Sequence, residues 1–274
     1  YYWWKPSNCW VKMNNGMPNS MVTRLTIDYC NGKLLAATYG RGLWESDLIR
    51  PNPIPEYSDI IDDFEVWNSS REIKGSIIIK SGVKLSIIGT PSLTPPYGSS
   101  TTIRMPKLGG IFIEPGGILE VIGAEITNEC QAWYGIQAWA SGNFPQQLNT
   151  TTIVHPLLGT FNFTNDDNHG MVILSKAIIS NAEEAFTNGG GSGNYMGGII
   201  YAQESIFLNN WRSAQFLSYH NLTNTTPPVL KKDVSRFWGN TFIVNDQTTQ
   251  GLEHHITMWD VNGIDLKGNK FYNN

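Results

Sequence analysis

Charge is what this chain has least of. Only 15% of its 274 residues are Asp, Glu, Lys or Arg, and the formal net charge is −4. Lys and Arg nowhere cluster, so neither nucleic acid nor an anionic membrane surface is an expected partner. Long apolar runs are missing too. None approaches the roughly 18 residues of a spanning helix, so no membrane insertion is expected, and the N-terminus carries no basic-then-apolar signal segment. Cysteine is scarce: Cys9, Cys30 and Cys130 are all there is, an odd number. No Cys-x-x-Cys or His-rich spacing points to zinc. Helical periodicity is absent as well, since Gly and β-branched residues break up every stretch.

What is present is a repeat. Residues 75–89 (GSIIIKSGVKLSIIG) and 109–123 (GGIFIEPGGILEVIG) align without a gap at an offset of 34, with seven of 15 positions identical. Each copy reads strand, Gly turn, strand, with apolar alternation at Ile77/Ile79 and Leu85/Ile87. A unit of this size buries its apolar face only by stacking on its copies. A second pair, Gly170–Asn181 and Gly198–Asn209, matches at an offset of 28. The pattern predicts an all-β parallel solenoid over residues 70–274, with about seven rungs and roughly 30–35 Å of stacked strands. Stretches rich in Pro, Gly, Ser, Thr and Asn near 90–101, 141–169 and 218–232 are expected to bulge from it as inserted loops.

Asparagines recur in similar settings at Asn181, Asn209, Asn240 and Asn269, spaced by 28, 31 and 29. Asn tolerates left-handed backbone angles, and its amides can hydrogen-bond from rung to rung, so the spacing predicts a structural Asn ladder. Five Asn-x-Ser/Thr sequons, at Asn68, Asn149, Asn162, Asn221 and Asn224, report mainly the richness in Asn and Thr.

The first 50 residues differ. They read as short strands at about 9–13, 22–29, 33–38 and 42–47, with Asn31-Gly32 a hairpin signal. The segments Trp10–Pro18 (WVKMNNGMP) and Ala36–Trp44 (AATYGRGLW) resemble the closing blade of a sialidase-like, Asp-box β-propeller, although the full Asp-box consensus is not present. Residues 1–50 are therefore expected to be that blade. Residues 51–69 would be a Pro-rich linker leading into the solenoid, which begins at 70. A blade followed by a right-handed parallel β-helix resembles large secreted surface proteins of Bacteroidota exported by the type IX pathway. The resemblance implies a secreted or cell-surface location and a fragment of a longer chain, whose other domains are the first expected partners. It further implies a role in adhesion, scaffolding or glycan handling. Surface glycans and the secretion or gliding machinery are the other implied partners. Within such a blade Cys9 and Cys30 are candidates for a disulfide across neighbouring strands, and Cys130 reads as a small buried residue of the solenoid.

Chemistry-bearing motifs are few. Parallel β-helices host polysaccharide hydrolases and lyases, which need acids on adjacent rungs. The string Asp166-Asp167-Asn168-His169-Gly170 departs from the polygalacturonase pattern: its acids and His are crowded together, no Gly precedes His169 and no Arg-x-Lys follows. It reads as a solvated loop, with a calcium site from Asp166, Asp167 and Asn168 oxygens as the alternative. No other cofactor is expected. Lys231, Lys232 and Asp233 sit together without a visible partner. His254-His255 in a strand would point to opposite faces. Ten Trp are many for a chain this polar. Trp133 and Trp139 share a period-2 segment, and Trp211, Trp238 and Trp259 recur near repeat junctions. Two readings stay open for these five: packing within the coil, or a stripe of rings that stack on sugars. The expectation is a non-catalytic structural or adhesive section. A carbohydrate-binding or polysaccharide-degrading module is the alternative, and a carrier section for the secretion or gliding machinery the second alternative.

Overall fold

The computed structural model describes residues 2–4, 9–11, 20–28, 33–47, 57–128, 132–155, 159–190, 196–245 and 251–273. Among the described residues all regular structure is β, with no helix. The chain divides into two compact units, Tyr1–Pro53 and Ile54–Asn274.

In the first unit, Val22–Asp28, Lys33–Thr38 and Gly42–Asp47 form an antiparallel three-stranded sheet, and Tyr2–Trp4 pairs with Cys9–Val11. The strands on either side of Asn31-Gly32 pair antiparallel with Asp28 opposite Lys33, a register that leaves four residues between them rather than two, and Asn31-Gly32 themselves lie outside the described residues. Cys30 and Cys130 lie outside the described residues, and with them the Cys9–Cys30 disulfide.

The second unit contains three parallel sheets of seven strands each, visited in strict rotation. Seven rungs result. The first comprises Tyr57–Ile61, Glu65–Trp67 and Arg71–Glu72, one strand for each of the first, second and third sheets. Later rungs follow the same order: Ser76–Ile79, Lys84–Ile88, Thr102–Arg104; then Gly110–Ile113, Ile118–Ile122, Glu125–Thr127; then Trp133–Ala138, Met171–Ser175, Ile178–Ser180. The fifth to seventh are Ala182–Thr187, Ile199–Gln203, Ile206–Leu208; Arg212–Phe216, Arg236–Trp238, Thr241–Val244; and His254–Met258, Asp265–Lys267, Lys270–Asn273. This topology is compatible with a solenoid. The repeats seen in the sequence are its registers: Ile77 lies beside Ile111 and Leu85 beside Leu119, while Met171 lies beside Ile199 and Ile178 beside Ile206. The stack begins at Tyr57 rather than at residue 70. Its first rung carries none of the Gly-bounded alternation that marks the later copies, so the repeat pattern does not reach it.

Inward-pointing residues from all three sheets build one continuous core from Ile61 and Trp67 to Phe237 and Phe242. Lower rungs fill it with Ile, Leu and Val. Upper rungs fill it with rings: Phe207, Phe242 and Phe271 stack at 4.8 Å steps, tilted by only 9° and 10°. Trp67 closes the lower end, with the Arg71 guanidinium 4.2 Å from its ring centre. At the seventh rung Phe271 remains 51% exposed.

The turn from second to third sheet repeats one device. Gly123, Lys176, Glu204, Gly239 and Gly268 all have left-handed φ between 48° and 67°. The next residues are Ala124, Ala177, Ser205, Asn240 and Asn269. Here the N–H of Ala177 donates to Ser205 Oγ (3.1 Å), that of Ser205 to Asn240 Oδ1 (2.9 Å) and that of Asn240 to Asn269 Oδ1 (2.9 Å). Asn181 and Asn209 are elsewhere, left-handed at the turn from third to first sheet (φ 58° and 55°), where Asn209 pairs with Asn245. The four asparagines thus form two columns on two corners, not one ladder, because the spacing of 31 crosses from one corner to the other.

The three predicted inserts all leave the stack between rung strands. Pro91–Ser92 and Gly98–Ser99 make a short hairpin between second and third sheets. Asn149–His155 and Gly159–Asn165 make a longer one between first and second sheets, where residues 218–232 also emerge.

Candidate functional site

The acidic string at 166–170 is not a solvated loop at its centre. Asp166 is 1% exposed and His169 is fully buried. His169 Nδ1 lies 2.8 Å from Asp166 Oδ1, and its Nε2 lies 3.3 Å from the Tyr219 hydroxyl, which donates to the carbonyl of Phe144. Gln146 continues the network. Its amide donates to the Gly197 carbonyl (3.0 Å) and to Asp233 Oδ2 (3.1 Å), and its oxygen accepts from Val234 N–H (2.9 Å). Asn221 accepts from Gln146 N–H (3.0 Å) and donates to the Lys232 carbonyl (2.8 Å). The inserts around 141–169 and 218–232 are fastened to each other and to the stack by this network, through Gln146–Asn221, Tyr219–Phe144 and Gln146–Gly197.

Burial sets its electrostatics. Desolvation pushes the Asp233 carboxyl above the ordinary carboxylate range, against the hydrogen bonds from Ser235 and Gln146. It also pushes the Tyr219 hydroxyl up, aided by the nearby Asp233 and Asp166 charges. Acid, imidazole and phenol are in reach of one another and all are buried: Tyr219 is 4% and Asp233 5% exposed. The cluster is a fastening. Asp166 oxygens already accept from Gln147 N–H, Asn168 N–H and the imidazole, Asp167 from Asn165, and Asn168 from Ser141. A cation would have to displace those donors. Among the described residues no three His, Cys, Asp or Glu side chains converge as a metal would require.

Sequence reasoning missed Gln146, Tyr219 and Asn221, which lie 50–88 positions from their partners. Asn221 even sits in a sequon, though it is 2% exposed and spent on the network. Asn68 and Asn224 are exposed.

The five tryptophans do not form a stripe. Trp133 is fully buried in the core, its indole N–H donating to the Ser180 carbonyl (2.8 Å). A register shift between Gly135 and Gln137 breaks the alternation that would have placed it with Trp139. Gly135 sits at that shift, whose extra residue lies in the Ala182–Thr187 strand, and it has φ of 108° and room for no side chain: a Cβ would fall 1.6 Å from the Glu184 carbonyl oxygen. Trp139 is half-buried and packs 5.5 Å from Phe112, which also meets Tyr134 at 6.5 Å. Trp211 lies under the Arg212 guanidinium at 4.3 Å. Trp238 has Arg236 at 4.5 Å and Lys267 at 4.9 Å, and its N–H donates to Asp265 Oδ2 (3.0 Å). Trp259 alone of the five is open, 74% exposed. It edges a groove of about 450 Å³ whose lining includes Arg212, Gln215, Glu253, Met258 and Asp260. His220 Nε2 and Ser218 Oγ engage Asp260 beside it, at 3.0 and 2.9 Å.

His254 and His255 divide as strand geometry requires. His254 is exposed, while His255 packs 5.8 Å from Phe242 and 5.6 Å from Phe271. Compared with known proteins, the chain matches no family model, no curated protein and no solved structure.

Proposed function

We propose that the Ile54–Asn274 unit is a right-handed parallel β-helix serving as a non-catalytic, load-bearing section of a large secreted cell-surface protein, and that the Tyr1–Pro53 unit is the closing blade of a sialidase-like propeller. One observation carries the reading. The interior is filled without a break across the rungs, and the only dense group of acid, His and Tyr found among the described residues is shut inside as a fastening. A closed, filled interior of this kind supports a structural role. Parallel strands stacked in register put their hydrogen bonds along the stacking axis, and each rung leans on its two neighbours. The test is single-molecule extension between handles at positions 60 and 270. The expected record is a series of release events, each about one rung long. A single low-force opening of the whole unit would overturn the spacer role, and release of reducing ends from any polysaccharide by the folded protein would overturn the non-catalytic one.

A second reading, carbohydrate binding just past the His254–Met258 strand, rests on Trp259. An exposed indole beside a carboxylate and an imidazole offers a sugar both a flat apolar plate and hydrogen-bond partners. Binding on a glycan array that survives Trp139→Ala but is lost in Trp259→Ala is its expected signature.

A further inference from the structure

The outer face of the second sheet carries a different arrangement on rungs five to seven. Tyr201, Arg236 and Asp265 are register partners on three successive strands, and so are Gln203, Trp238 and Lys267. Arg236 and Asp265 are thus direct neighbours of opposite charge, and the ordinary outcome for such a pair is an ion pair. Here they turn apart. The Arg236 guanidinium lies over Tyr201, 3.9 Å from its ring centre, and over Trp238 at 4.5 Å. Asp265 instead accepts from Trp238 Nε1 and from Lys267 Nζ, both at 3.0 Å. Among the described residues Arg236 has no carboxylate partner within ion-pair distance. A planar cation held against two rings has paid its ordering entropy in advance, while its in-plane N–H fork stays available.

Arg236, Trp238, Asp265 and Lys267 of this strip line a groove of about 530 Å³ that also contains Lys232, Val234 and Gly263. Three cations face it: Lys232, Arg236 and Lys267. Two carboxylates oppose them, but Asp233 is buried and turned to Ser235 and Gln146, so Asp265 is the one presented. We propose that this groove binds an acidic sugar chain, with Arg236 gripping a uronate carboxylate through its fork and Asp265 accepting from the neighbouring sugar hydroxyls. The unlike charges held side by side and not paired with each other, Arg236 over its rings and Asp265 with Lys267, are what select this class. A uronate offers an acceptor for Arg236 and donors for Asp265 on the same ring. A polyanion without hydroxyls satisfies Arg236 but meets repulsion from Asp265. Trp238, the aromatic ring of the groove's lining, supplies the apolar edge along which a sugar ring lies. The inference goes beyond the load-bearing role and does not depend on it.

The test is titration calorimetry on the full chain with hexagalacturonate, alongside its fully methyl-esterified form, poly-glutamate and inorganic sulfate. Expected is saturable binding of hexagalacturonate, weakened about tenfold or more in Arg236→Gln, as loss of a bidentate charged hydrogen bond requires. Arg236→Lys should recover only part of it, because an ammonium lacks the fork. Lys176→Gln, at an exposed corner away from the groove, should bind as the parent does. Thermal melting checks that each variant folds. If Arg236→Gln does not, Lys232→Gln takes its place, with a smaller weakening expected. Equal binding of the methyl ester, equal binding of poly-glutamate, binding of sulfate alone, or unchanged affinity in the folded groove variants would each overturn the proposal, as would no binding of hexagalacturonate at all.

Discussion

Individual side chains in this unit are judged by which corner or face they occupy. Asn240 illustrates it: fully buried, it satisfies Ser205 N–H, the Ala202 carbonyl and Asn269 at once. Asn240→Ala strands those groups, and chemical denaturation should show a loss of about 1–3 kcal/mol. Two titrating groups give stability slopes of opposite sign. Burial holds the His255 imidazole below its usual range. The unfolded chain therefore takes up a proton first, and stability falls as pH drops from about 6.5 toward the depressed folded value. Asp233 is raised, so the stability it contributes is present at pH below the ordinary Asp range and is lost as pH rises through its folded value. Denaturation curves from pH 4 to 8 should show the two slopes, and His255→Leu should remove the one linked to histidine. Little of this was legible in the sequence. Asn240 was marked by its spacing, but the spacing could not say which corner it occupied. For Trp133 the sequence leaves core packing and a surface stripe both open, because its period-2 spacing to Trp139 does not reveal the irregularity at Gly135 that separates the two rings.

At the level of elements, turns and bulges carry the specification. Lys176 and Glu204 occupy the same left-handed position that Gly123, Gly239 and Gly268 fill on other rungs. A side chain there costs about 1 kcal/mol. The exposed Lys176–Glu204 pair, at 3.7 Å, contributes little in return. Lys176→Gly should therefore stabilise the protein by up to about 1 kcal/mol, read as a higher denaturation midpoint with unchanged slope. Gly135→Ala is the opposite case. The clash with the Glu184 carbonyl lies in backbone and cannot be relieved by a rotamer, so a loss of several kcal/mol is expected. The strands themselves were the most readable part of the chain, since offsets of 34 and 28 are the registers of adjacent rungs. The inserts were visible as loops, yet their fastening was not. Gln146 meets Asn221 and Val234 across 75 and 88 positions, and no local pattern announces such a meeting.

For the Ile54–Asn274 unit taken whole, stability is a sum over neighbouring rungs rather than the property of one centre. Amide exchange should therefore be graded. Amides of Gly110–Ile113 and Met171–Ser175, with rungs on both sides, should exchange orders of magnitude more slowly than those of Lys270–Asn273, whose side chains are exposed. Uniform protection from the third rung to the seventh would mean that the unit opens as one block instead.

The in-register stack also leaves its mark on how such a sequence can change over time. Most side chains here have their intimate neighbours not nearby in the chain but one circuit away, at separations of 28, 29, 34 or 35 positions. Where the long hairpin intervenes, Ile118 meets Met171 across 53. Compensating substitutions should therefore accumulate at those lags, and a diverging lineage would carry the period of its own circuits in its correlated mutations long after the visible resemblance between 75–89 and 109–123 had worn away.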